Sequence, residues 1–196
     1  MMLRKQKRYA MNREYVRNLT ITGMFLAIGL VLPFLTGQLQ SMGNALLPMH
    51  LPVFLCALIC GWKYAVPMAF VLPLLRSLLF TMPPLYPTAV SMAFELAVYA
   101  LVTGLVYALL RKKNVLSVYI SVIAGMLAGR AVWGCVQALL LGISGKTFGF
   151  AAFIAGAFTN AVPGIILQLV LIPAAMVVLD RTGALPFGDG KQTDAD

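Results

Sequence analysis

Charge is scarce in this sequence, and acid scarcest of all: six Asp and Glu stand against fifteen Lys and Arg, and charged residues make up 11% of 196 positions. Soluble domains carry about 25% charged residues. A chain with 61% hydrophobic residues therefore has too little polar surface to cover a water-facing globule. That excludes an ordinary soluble domain and points to lipid as the main solvent. Histidine occurs once and cysteine three times, which leaves no ligand cluster for a metal. Cys56 and Cys60 lie one helical turn apart and read as small hydrophobes packed in a bundle; within one turn they are poorly placed for a disulfide. No metal and no cofactor are expected.

What is present is a series of apolar runs, each near the 20 or so residues that cross a bilayer. They fall at about Leu19–Thr36, Leu51–Cys60, Tyr64–Phe80, Thr88–Leu110, Ser117–Leu141 and Phe150–Leu179. The expected fold is an all-α integral membrane protein, a six-helix transmembrane bundle with both termini in the cytosol. A basic cytosolic segment, 1–18, precedes the membrane domain, 19–180, and a polar disordered tail, 181–196, follows. The amino terminus lacks a clean cleavage site after its apolar run, so it reads as a retained span and not a signal peptide.

The cations test that scheme. Six precede the first run, Lys63 marks a turn, Arg111, Lys112 and Lys113 share one loop, and Arg181 and Lys191 sit in the tail, so twelve of fifteen fall on one side. Lys146 alone falls on the other, while Arg76 and Arg130 lie inside spans. This is the asymmetry of a multi-pass protein whose cationic loops stay in the cytosol, against the anionic leaflet of a cell membrane. It also accounts for the net charge of +9 without nucleic acid, for which no polar domain with a basic face is available. Fusing the second and third runs into one helix would put the Arg111–Lys113 loop outside, against the same rule.

Depth can be counted at about 1.5 Å per residue. Arg76 and Arg130 each come out roughly 20 Å from the cytosolic side, Glu95 roughly 10 Å and Asn160 roughly 15 Å below the outer surface. All four then share one layer of a core about 30 Å thick, where an arginine costs about 2.5–3.5 kcal/mol or more. One reading is an Arg76–Glu95 ion pair that clips two helices, with Arg130 snorkelling outward. The other is a polar cavity, open to the outside, that offers net positive charge to a solute. His50 is expected at the outer mouth of the second span, and Gln168 deeper, towards the cytosol, as a helix contact.

Enzyme signatures do not survive inspection. Gly145, Lys146 and Thr147 match the end of a phosphate loop, but the glycine required five positions earlier is Leu140. Gly142, Ile143, Ser144 and Gly145 look like a rhomboid-protease serine motif, yet no histidine follows to act as base. An enzyme is not expected.

The short second run, the Gly-aromatic turn and the block PMHLPVFLCALICGWKYAVPMAFVLPLLRSLLF resemble the substrate-binding S components of energy-coupling-factor (ECF) vitamin transporters, in the broad pantothenate-type branch. The likeness covers roughly residues 15 to 180. It implies a subunit of the bacterial plasma membrane that captures a small water-soluble vitamin or precursor from outside, beneath a roof of outer loops. An ECF T component and two ATPase subunits would then drive uptake. His50, Arg76, Glu95, Arg130 and Asn160 become candidate substrate-binding residues. The two arginines favour a carboxylate such as pantothenate, and a neutral pyridine or pyrimidine on Glu95 stays open. The family packs its first helix on the T component through an AxxxA motif. Here Gly23 and Ala27 keep small-x-x-x-small spacing, with glycine in the first place. The alternative from another class is a standalone carrier coupled to protons through Glu95. Such carriers are built from inverted repeats, and none is visible.

Overall fold

The computed structural model describes residues 2–36, 47–145, 147, 149–157 and 159–182; the side chains of residues 2–12, 35, 36 and 160 lie outside that description. Lys146 and the tail beyond Thr182 also fall outside it.

All the regular structure described is helical. α1 (Met2–Val31) tightens into a 3-10 turn, Leu32–Thr36. α2 (His50–Ile59) and α3 (Trp62–Phe80) follow, then a wide turn, Leu85–Ala89, leading into α4 (Val90–Leu109). α5 (Val115–Ile143), α6 (Phe150–Ala157), a 3-10 turn at Thr159–Ala161 and α7 (Val162–Arg181) complete the chain. Five stretches are long and apolar enough to cross a membrane, and α2 is apolar but only 10 residues long. The chain is an all-α, multi-pass membrane bundle.

α4 is the centre, packed on α2, α3 and α5. Small residues make its seam with α5. Ser121, Gly125 and Gly129 recur every four residues and are buried. A methyl group added at Gly129 would lie 2.2 Å from the Tyr99 ring and 3.0 Å from the Glu95 carbonyl oxygen. Close backbone approach of this kind is how helices associate where lipid offers no hydrophobic drive. At its other end α5 is opened by Asn114, whose side chain accepts from Ser117 N at 2.9 Å, an N-cap that satisfies an otherwise orphaned donor.

α2 spans only about 15 Å, half the hydrocarbon core. It is tolerated because protein encloses it: Val53, Phe54, Cys56, Ala57 and Leu58 are all buried. It ends in a turn at Gly61, whose φ of +83° suits glycine. His50, at the opposite end of α2, is about 16 Å from that turn along the helix axis.

The sixth apolar run departs from expectation. A single span from Phe150 to Leu179 was expected; the chain breaks at Thr159–Ala161 and restarts at Val162, with Pro163 at the head of α7. Proline is accepted in a first turn because its missing N–H would have no helical partner there. α7 alone, at 20 residues, covers about 30 Å. The shorter α6 instead lies on the outer part of α5, where Phe153 stacks on Trp133 with centroids 6.3 Å apart.

Candidate functional site

Three of the expected residues meet, with one that was not expected. Arg130 Nη1 lies 2.9 Å from Glu95 Oε1, with both side chains buried. Tyr99, one turn along α4 from Glu95, donates its hydroxyl to the same oxygen at 2.7 Å. The His50 Nε2 atom stands 3.8 Å from it, beyond hydrogen-bond reach. The imidazole also lies against the Tyr99 ring, centroids 5.3 Å apart, and Phe54 stacks on the same ring at 5.1 Å. The arrangement follows from the seam: with Gly129 bare, Tyr99 fits against α5 and Arg130 comes level with Glu95.

His50 is the first residue of α2, at the end opposite Gly61. It is 1% exposed, at the base of the group, and neither ring nitrogen reaches a partner at hydrogen-bonding geometry. The Leu47 carbonyl nearby already accepts from His50 N at 3.0 Å and Gln168 Nε2 at 3.4 Å. Gln168 is thus level with His50 and not deeper. The break at Thr159–Ala161 explains the error: counted from Val162, Gln168 is about 9 Å along its helix, whereas from Phe150 it is about 27 Å.

Arg76 goes elsewhere. Its Nη1 donates to the Leu30 carbonyl at 2.6 Å, and its guanidinium lies over Phe34 and Phe80 at 5.2 and 5.5 Å. Leu30 lies just before the 3-10 turn, in which Pro33 has no N–H to donate back into the helix. The Arg76–Glu95 pair of the first reading does not form; Glu95 pairs with Arg130 instead, and the Arg130 side chain is buried. Asn160 lies in the turn before α7 instead of inside a helix, and its side chain is outside the described residues.

Outward of the ion pair, one face of α5 continues through Trp133, Gly134 and Gln137, at the helical spacing that stacks residues on one side. Gln137 Oε1 is buried without a partner. Beyond it, the Tyr86 hydroxyl meets the Leu140 carbonyl and Ser144 Oγ, the latter at 2.9 Å, tying the turn before α4 to the outer end of α5. Tyr99 and Gln137 were missed in the sequence. The signals were a tyrosine four residues after Glu95 and a glutamine seven after Arg130. Among the described residues no cluster of metal-binding side chains occurs.

A family model described as "ECF transporter, substrate-specific component" matches residues 17–176. No curated protein and no solved structure matches the chain.

Proposed function

The chain belongs to the family of ECF transporter substrate-specific components, and from that premise we propose that the His50–Glu95–Arg130 group is where it captures its solute from outside. The family supports a substrate-capturing transporter subunit. The proposal extends to its setting: the bacterial plasma membrane, and a complex with an ECF T component and two ATPase subunits. The solute is a small water-soluble vitamin or precursor.

The observation that carries this reading is His50, a fully enclosed imidazole with two unpartnered nitrogens beside a paired carboxylate and guanidinium. Buried polar groups are ordinarily hydrogen-bonded. Groups left open together in a helical bundle are what a ligand would complete. A pantothenate-like acid is the solute that two arginines favoured. Arg130 could still serve it, since Nη1 takes only one of the five guanidinium donors, but Arg76 is engaged at the end of α1.

Reconstitution tests the assignment. The purified chain alone should capture solute, and proteoliposomes should accumulate it only when the T component, both ATPases and ATP are present. Accumulation by the chain alone under a proton gradient would replace this reading with the standalone carrier.

A further inference from the structure

The charge of the solute can be taken further, on the premise that this group is the capture site. Glu95 and Arg130 sit 2.9 Å apart, so their formal charges cancel where they are buried. Arg76, the cation left over in the sequence, is held by Leu30, Phe34 and Phe80. What stays open is neutral in kind. A neutral imidazole offers one donor and one acceptor, and an amide oxygen accepts only. His50 presents both ring nitrogens, and the acceptor is Gln137 Oε1. Gln137 stands two turns outward from Arg130, about 10 Å along the same face of α5.

An anion entering this group would add an unbalanced charge beside Glu95, in a place where desolvation is costly and Arg130 is already shared. An uncharged solute with a donor beside an acceptor would complete His50 and leave the ion pair intact. A second donor further along that face of α5 would reach Gln137. Aromatic rings flank both levels, Tyr99 and Phe54 at the base, Trp133 and Phe153 above. We propose that the site selects an uncharged solute bearing N–H or O–H donors next to acceptors, such as a carboxamide, a ring imide or a hydroxyl-bearing heterocycle, and discriminates against the matching carboxylate.

The test offers the detergent-purified full chain an equimolar mixture of matched pairs: nicotinate with nicotinamide, pantothenate with panthenol, and biotin with biotinamide, together with riboflavin and pyridoxine. Bound compounds are released by denaturation and identified by mass spectrometry, then titrated singly. An uncharged compound should be captured, with any matched acid binding at least roughly tenfold more weakly, the loss expected for one good hydrogen bond and more. Because the chain has one histidine, nitrogen-15 spectra of the imidazole report on His50 alone, without any substitution, and its signals should move on binding. His50→Ala should cost roughly tenfold in affinity, and Gln137→Leu should weaken a two-donor solute more than a one-donor one. Preferential capture of a carboxylate, or an imidazole unmoved by a bound solute, overturns the charge assignment while leaving capture itself standing. Capture of nothing in the mixture overturns both.

Discussion

At the scale of single residues, two arginines of similar depth turn out to have opposite neighbourhoods. Arg130 balances Glu95, while Arg76 donates to the Leu30 carbonyl at the end of α1. Sequence counting placed both in one layer, and for Glu95 and Arg130 that layer is real. Which arginine would face the glutamate depends on rotation about each helix axis, and depth carries none of that. Removing one member of a buried pair costs about 3–5 kcal/mol, because the other charge is left alone. Arg130→Gln should therefore lower the melting temperature of the detergent-solubilised chain sharply, and the double change with Glu95→Gln should recover part of the loss. A double variant no better than the single one would mean that the pair contributes little. Arg76→Gln should also lower the melting temperature, through a lost charge-assisted bond of about 1.5–3 kcal/mol and the aromatic contacts. It should leave the affinity for the captured solute within about threefold, under 1 kcal/mol. A tenfold weaker affinity in a still folded Arg76→Gln protein would return Arg76 to the site.

At the scale of elements, the runs were legible because the membrane imposes a length, and the internal geometry was not because two elements break that rule. α2 is apolar but only 10 residues long, so a length rule for spans gives no depth for His50 at its first turn. The break before α7 reset the count for Gln168 and Asn160. Nothing in the apolar run from Phe150 onward announces that break except Asn160, Pro163 and Gly164, which a helix in lipid can also absorb. The seam between α4 and α5 was legible in principle: Ser121, Gly125 and Gly129 form a small-x-x-x-small series that sets how near the two backbones come. Gly129→Ala would place a methyl group 2.2 Å from the Tyr99 ring. That ring is held between Phe54, His50 and the Glu95 carboxylate, so it cannot swing away freely. Overpacking of this kind costs about 1–3 kcal/mol, and here it should reduce solute affinity as well as thermal stability, because Tyr99 supports Glu95. Gly142→Ala, on the same helix with nothing within 4 Å, is the matched control and should melt at or slightly above the parent temperature. Equal melting curves for the two variants would show that the seam yields easily.

At the scale of the whole molecule, charge sorting predicts an orientation and exposure nominates a face for a partner. With the native cysteines replaced, Lys146→Cys should react with an impermeant thiol reagent added to intact cells and Lys112→Cys should not; the reverse pattern would invert the bundle. The face belongs to α1, whose membrane window is only 11% buried, the least of the five spans. Its inward small residue is Gly29, where an added methyl group would meet Leu72 at 2.7 Å and Pro52 at 3.3 Å. Gly23 and Ala27 point the other way: both are exposed, and nothing lies within 4 Å of a methyl group built on Gly23. Exposed Leu19, Met24, Ile28 and Val31 flank them. Against lipid alone such a stripe gains nothing from being small, since lipid chains accommodate leucine equally well. Against another helix it permits close backbone approach. Gly23→Leu and Ala27→Leu should accordingly leave melting temperature and solute capture unchanged, while ATP-driven uptake with the T component and the ATPases is lost. Gly29→Leu should do the opposite first, lowering the melting temperature by forcing α1 off α2 and α3. If Gly23→Leu or Ala27→Leu instead abolished capture while the assembled complex could still be isolated, this face would belong to the interior of the chain. Docking would then have to run through another surface.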